Sequence, residues 1–283
     1  MHLQAAATRA ATLLSRNPAL FCRVMLAKVN SARPMPRLPA RKWIGGVRFE
    51  CDLAADHATA PIYFGSYSLL VVNAMSNILK PGDVFVDVGA NIGYLSAVAA
   101  DLVGPAGQVH AFEPVPSHFE KLRRLAWLNP GYSILVNACA AGEVPERREI
   151  NVTQEPGQST FVPSYKPPSE IVFSLSVPVI RLDSYLAERK IQRVALIKID
   201  VEGFELAVLR GLKGYIDSST DRPALLCEIA PRAYPLLGRD ISELQAFLGS
   251  YGYRAYDVAD GRTRVDITKL HHVDDVLFLA GTR

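Results

Sequence analysis

Three stretches of this chain set carboxylates, amides and glycines at the ends of apolar runs. The first is VFVDVGANIGYLS, Val84 to Ser96, which reads as a strand over Val84–Val88, a glycine turn and the start of a helix. Gly89 permits a sharp turn without a Cβ, and Gly93 lets the new helix come close to the strand or to a ligand. Free N–H groups at a helix start favour a negative group such as a carboxylate. Asp87 lies near this mouth and can hold a donor or a cation, and Asn91 offers both a donor and an acceptor. With Ala90 between them, these residues suit a ligand that carries a carboxylate, an ammonium and a nearby cationic centre.

The second stretch is VHAFEPVPS, with Glu113 just past an apolar strand over Gln108–Phe112 and 26 residues after Asp87. An acid at that place can accept hydrogen bonds from both hydroxyls of a ribose. Pro114 and Val115 would floor a base. Asn137 and Ala138, after a strand over Ser133–Asn137, sit where an adenine edge would lie. The dinucleotide fingerprint GxGxxG is absent, since the turn reads Gly89-Ala90-Asn91-Ile92-Gly93. That argues against a nicotinamide or flavin enzyme.

The third stretch, IKIDVEGFE over 197–205, follows a strand expected over Val194–Ile199. Strand alternation puts Lys198 and Asp200 on one side. Asp200 and Glu202 then emerge at the strand's carboxyl end, beside the glycine turn. Three carboxylates within six residues need partners or solvent, and Lys198 is one candidate. Asp200 or Glu202 can take a proton from an acceptor hydroxyl or bind sugar hydroxyls. The alternative is a Lys198–carboxylate cluster that only braces the turn. Glu205 reads as a charge at a helix N-terminus. Glu228, ending a strand over Ala224–Glu228, points to the same mouth. With Asp200 it makes two oxygen ligands, but the sequence offers no third, so no metal is expected. His271-His272 reads as a surface loop.

Strands and helices alternate from Ile62 onward to position these groups. Helices are expected over 68–80, from the glycine turn to Gly104-Pro105, and to about Leu128 behind a Ser117/Glu120 capping box. Others start at Asp183, run from Phe204 to Gly211, and start behind Asp240 and Glu243, with Ile241, Leu244 and Leu248 on one face. Two more strands are expected over Tyr253–Val258 and Asp275–Ala280. Residues 143–180 break the rhythm and read as an inserted β-hairpin region, expected with the segment around Tyr63–Ser68 to shape the acceptor pocket without spelling out a code for it. This alternation means right-handed crossovers, a mostly parallel sheet and helices on both faces. Ligands in such sheets sit beyond the strands' carboxyl ends, where the strand order switches.

Charge divides the 283 residues unevenly. Residues 1–49 hold nine Lys and Arg and no acid, which leaves 22 basic and 28 acidic residues, a balance of −6, for the rest. Helices over 3–16 and 18–29 and the proline-rich SARPMPRLPARK suggest a basic helical arm and linker over 1–45, with one domain over 46–283. Such an arm suits an anionic membrane surface or an acidic partner. No apolar run reaches the roughly 18 residues of a membrane span, and no signal peptide is evident. The chain is expected in the cytoplasm, with the arm at most peripheral to a membrane. Four separated cysteines without a CxxC are expected to be reduced. The acidic body and the lack of an aromatic-and-basic stripe argue against nucleic acid.

The blocks DVFVDVGANIGYLS, VHAFEPVPSHFEKL, and VPVIRLDSYL followed by LIKIDVEGFELAVLRG together resemble class I S-adenosylmethionine-dependent methyltransferases. More narrowly, residues 60–280 resemble the FkbM family, with KIDVEGFE the most diagnostic part. The resemblance implies a Rossmann-like α/β fold with a seven-stranded sheet whose last strand is antiparallel. It implies S-adenosyl-L-methionine as cofactor and methyl transfer to a hydroxyl of a sugar, glycan or polyketide-like small molecule. Many members carry an acid ahead of the first helix, where this chain has YFGSYSLL and Tyr67. A second reading is a scaffold that binds the cofactor without catalysis; intact Asp87, Glu113 and Asp200 argue against it. Neither the acceptor nor the oligomeric state can be read from the sequence.

Overall fold

A computed structural model describes residues 14–15, 18–19, 21–22, 25, 39–52, 59–63, 67–154 and 157–281. The helices expected over 3–16 and 18–29, and the linker ahead of residue 39, fall largely outside the described residues. The first elements are a hairpin, β1 (Pro39–Ile44) and β2 (Val47–Asp52), then helices α1 (Thr59–Tyr63) and α2 (Leu69–Ile78). Next come β3 (Val84–Val88), α3 (Tyr94–Val103), β4 (Gln108–Phe112), α4 (Pro116–Leu128) and β5 (Ser133–Asn137). The inserted region supplies β6 (Ala140–Ala141), β7 (Glu146–Thr153) and β8 (Ile171–Ile180). After it follow α5 (Leu182–Glu188), β9 (Leu196–Ile199), α6 (Glu205–Gly211), α7 (Lys213–Ser218) and β10 (Ala224–Ile229). The chain closes with α8 (Ala233–Leu236), α9 (Ile241–Ser250), β11 (Tyr253–Asp257) and β12 (Asp274–Ala280).

Seven strands form one sheet in the order β11-β12-β10-β9-β3-β4-β5. Only β12 runs against its neighbours, β10 and β11; the other pairs are parallel. This is the class I methyltransferase arrangement that the resemblance implies. The chain winds outward from β3 through β4 to β5 and then returns to β9, so the strand order switches between β3 and β9. Burial on both faces explains why β3, β4 and β9 are nearly continuous apolar runs. Asp87, His110 and Lys198 are the buried exceptions.

Helix α3 is apolar almost all round because it is covered twice, by the sheet and by the β1–β2 hairpin. Val47, Phe49 and Cys51 point inward from β2. Gly46 N donates to Asp101 Oδ1 at 2.7 Å, and Arg48 and Asn129 exchange two hydrogen bonds of 2.8 and 2.9 Å. The boundary expected near residue 45 falls on the turn of this hairpin, so the packed domain reaches back to β1.

The inserted region is a separate sheet, β6-β8-β7, built on the expected antiparallel β7–β8 hairpin. Its inner residues Ile150, Val152, Val177 and Val179 join the core on one face of the main sheet. One helix start differs from expectation. Helix α4 begins at Pro116, capped by Val115, and Ser117 makes no cap. Pro116, with its fixed φ and missing N–H, sets the start one residue earlier, and Glu120 pairs with Arg123 at 2.8 Å instead. The Asp240/Glu243 capping box of α9 forms as expected. Among the described residues, no helix is long and apolar enough to cross a membrane.

Candidate active site

The carboxyl ends of β3, β4 and β9 open onto a cleft of two joined cavities. The first is lined by Phe112, Glu113, Pro114, Val115 and His118 on one side and by Ile150, Ser159 and Phe161 of the inserted region on the other. The second is lined by Tyr67, Asp87, Lys198, Glu202, Gln158 and Glu228. Gly89, Asn91, Gly157 and Asp200 line both and form the waist.

The glycine turn is built for close packing. Gly89 has φ 80°, and a Cβ there would lie 1.9 Å from the carbonyl oxygen of Asp200. Gly93 has φ 87°, and a Cβ there would press on Leu122 and Leu125 of α4 rather than on a ligand. The amides expected to meet an anionic group are committed within the protein. Gly89 N and Ala90 N both donate to Phe112 O, at 3.0 and 2.9 Å, Gly93 N donates to Ala90 O, and Asn91 N donates to Glu113 Oε2 at 2.8 Å. The turn thus folds over the end of β4 and leaves fewer free donors than a helix start ordinarily offers.

Glu113 stands where the sequence puts it, past the end of β4, buried and facing the first cavity. Its second oxygen accepts from Val115 N at 2.8 Å, and His118 Nδ1 lies 3.8 Å away. Four lone-pair directions on a carboxylate leave room for further donors. Pro114 and Val115 line the cavity as expected. Asn137 and Ala138 do not. The Asn137 amide turns back to donate to Ala111 O at 3.1 Å, and the wall is supplied by Ala140 and Ala141. Two polar atoms lining this cavity, Asn91 Oδ1 and Ser159 Oγ, are buried without a hydrogen-bond partner among the described residues.

The second cavity holds two rows of charge set by strand register. Asp87 on β3 pairs with Lys198 on β9, and both are buried. Ser96 Oγ donates to Asp87 Oδ2 at 2.6 Å. Two residues further on, Asp200 contacts the Lys198 ammonium and lies beside Glu228, whose register partner on β12 is Asp275. Burial pushes the Asp87 carboxyl up to about 6, although Lys198 and Ser96 oppose it. Burial also pulls the Lys198 ammonium down, but Asp200, Asp275, Glu228 and Asp87 outweigh that and hold it above its usual range. Glu228 is pushed well above the carboxylate range, first by Asp200 and then by burial. No group of three or more His, Cys, Asp and Glu among the described residues is placed to hold a metal.

Glu202 lines the second cavity in a left-handed conformation, φ 49°. Burial raises its carboxyl, and Lys166, 3.4 Å away, opposes the rise. Lys166 also donates to Gln158 Oε1 at 2.8 Å, and Thr160 Oγ1 donates to Glu202 O at 2.7 Å. The inserted region therefore grips the carboxylate loop by side chain and backbone. Glu205 turns away from the cleft. Its oxygens accept from Gly203 N at 2.7 Å and Tyr234 Oη at 3.1 Å, and burial pushes it up to about 8. Sequence reasoning missed Gln158, Ser159, Phe161 and Lys166, for which the insert carries no spacing signal. Tyr67 does reach the cleft; its phenol is raised to about 12 by burial and by Asp200 and Glu228.

The chain is similar to known proteins over most of its length. Residues 87–255 match the methyltransferase FkbM domain. The 31-O-demethyl-FK506 methyltransferase FkbM of Streptomyces tacrolimicus is 30% identical over 221 residues, 69% of this chain and 81% of that protein. The hexuronic acid methyltransferase AglP of Haloferax volcanii is 24% identical over 216 residues, 75% and 76% of the two chains. A crystal structure of a methyltransferase FkbM from Methylobacillus flagellatus KT aligns with a TM-score of 0.43 at 17% identity, covering 92% of this chain and 60% of that one. The matched span holds the glycine turn, Glu113 and the Asp200–Glu205 loop, and on it the chain belongs to the FkbM methyltransferase family.

Proposed function

We propose that this chain transfers a methyl group to a hydroxyl oxygen of a small-molecule or glycan acceptor. It is a methyltransferase by family, and its cofactor is S-adenosyl-L-methionine. When bound, that cofactor supplies an electrophilic methyl group on a sulfonium. The cleft residues fit it. Glu113, which lines the first cavity, would accept from the ribose hydroxyls, with Pro114 and Val115 flooring the base. The unpartnered Asn91 Oδ1 and Ser159 Oγ are acceptors for a polar ligand, since a buried oxygen left unpaired is costly. Asp87, Asp200 and Glu202 give the other cavity a negative field suited to an ammonium and a sulfonium.

The observation that carries the reading is the place of Asp200, which lines both cavities at the waist. A carboxylate there lies beside the place proposed for the sulfonium and its methyl group, where an acceptor oxygen must approach. It can orient an acceptor hydroxyl or take its proton as the oxygen attacks, with Glu202 beside it as the next candidate. The relatives named for a 31-O-demethyl substrate and for hexuronic acid favour oxygen over nitrogen or carbon. The test is transfer of a labelled methyl group from the cofactor into a hydroxyl-rich extract, with mass spectrometry locating the label. An O-methyl product supports the reading. Label on nitrogen or carbon, or cofactor binding without transfer to any component, sinks it.

A further inference from the structure

The fold assembles an aromatic-and-basic face that the sequence does not display as a stripe. On the outer face of the β1–β2 hairpin, Arg41, Trp43, Arg48 and Glu50 share one side, because Trp43 opposes Arg48 and Arg41 opposes Glu50 across the ladder. Helix α4 lies alongside, joined by Arg124 to Glu50 at 3.1 Å and by the Arg48–Asn129 backbone contacts. Both of the chain's tryptophans stand here, Trp43 59% exposed and Trp127 65% exposed. Each ring carries a guanidinium, Arg48 at 5.0 Å from Trp43 and Arg124 at 4.2 Å from Trp127.

Two large indoles in water are unfavourable unless something covers them. Stacked arginines beside exposed indoles match a lipid headgroup layer, where an amphipathic ring sits at the interface and guanidinium groups meet phosphates. The charge agrees. Arg41, Arg48, Lys121, Arg123 and Arg124 outnumber Glu50 and Glu120 on this face. The chain that leads into β1 adds six basic residues and no acid over residues 1–38. We infer that this hairpin–α4 face docks on an anionic bilayer, with Trp43 and Trp127 at the headgroup level. The groove between β2 and α4 is floored by Phe49, Leu125 and Ile92, and Ile92 also lines the acidic cavity of the cleft. Docking this way holds the cleft close to the lipid surface.

Because the sequence holds no other tryptophan, emission excited selectively at tryptophan, beyond the absorption of the 11 tyrosines, reports on this face alone. The full-length protein is titrated with phosphatidylglycerol–phosphatidylcholine vesicles, with phosphatidylcholine vesicles, and with a mixed-sequence RNA oligonucleotide. The expected result is a blue shift with the anionic vesicles only, reversed by high salt. Replacing both Arg48→Gln and Arg124→Gln should lower vesicle partition roughly 30-fold, with an unchanged melting temperature. Trp43→Ala and Trp127→Ala should each remove part of the shift; should either fail to fold, the wild-type emission and the arginine variant still decide. Sedimentation with anionic vesicles without a spectral change would assign binding to residues 1–38 and overturn the face. An equal shift with neutral vesicles, or quenching by RNA with no response to lipid, would overturn it as well.

Discussion

Asp87 and Lys198 are register partners across the β3–β9 ladder, and both are buried in the sheet. Neither charge is tolerable there alone. Lys198 also faces Asp200, Glu228 and Asp275, so one ammonium balances several carboxylates. Lys198→Met removes that balance and leaves buried carboxylates unpaired. Unfolding in urea should show a loss of about 3–5 kcal/mol, as for breaking a buried ion pair. A variant as stable as the parent would mean that the carboxylates are already neutral.

Asp200 should matter for turnover more than for the cofactor. Asp200→Asn keeps the shape at the waist and removes the charge. If Asp200 is the base, turnover should fall roughly 10²–10⁴-fold, while cofactor affinity measured by calorimetry changes much less. Near-normal turnover across the pH range would move the role to Glu202.

Glu113→Ala should weaken cofactor binding by about 1.5–3 kcal/mol, the loss of charge-assisted hydrogen bonds. The same carboxylate accepts from Asn91 N and Val115 N, so the variant should also melt somewhat earlier. Calorimetry and circular dichroism separate the two effects. Unchanged affinity in a folded variant removes Glu113 from the site.

Glu205 ties stability to pH. Its carboxyl is held up to about 8 in the folded chain, against an ordinary value of 4.5. Between those values the folded state keeps a proton that the unfolded state releases, so stability falls as pH rises through this window. Asp87, raised to about 6, adds a slope of the same sign at lower pH. Glu205→Gln stays neutral throughout. Its melting temperature should gain on the parent's as pH rises from about 5 to about 8.5. Parallel melting curves would show that Glu205 ionises normally.

Two glycines with similar backbones separate strain from collision. Gly82 has φ 88° and nothing within 4 Å of a built Cβ, whereas Gly89 has φ 80° and the Asp200 carbonyl at 1.9 Å. Gly82→Ala should lose only about 1–2 kcal/mol, the left-handed penalty. Gly89→Ala should lose at least about 3 kcal/mol, or cofactor binding altogether, since backbone must move. Equal losses in thermal melts would show that the turn can yield.

The sheet strands could be read from the sequence because burial on both faces makes them apolar runs with glycine or proline at their ends. Asp87, Glu113 and Asp200 were legible for a related reason: a charged residue closing such a run stands out. Asp87 opposite Lys198 was not, because pairing depends on a register that no local pattern encodes. The insert was expected at the pocket, but its wall residues Gln158, Ser159 and Phe161 were not legible one by one, since the insert reaches the cleft from another sheet. Asn137 was misplaced because its amide had a nearer acceptor in Ala111 O. Ser117 was misread as a cap because Pro116 starts the helix first.

Glu202 and Asn91 hold φ of 49° and 51°, in a region that glycine enters freely, asparagine enters at a smaller cost, and a residue such as glutamate enters at a cost of roughly 1–2 kcal/mol. Both line the cleft. A glycine at either place would relieve the backbone and remove a side chain that lines the cleft. Directed evolution for heat tolerance alone should therefore drift toward Glu202→Gly and Asn91→Gly, and the winners should be robust but inactive. Libraries meant to harden this enzyme need an activity gate at these two codons.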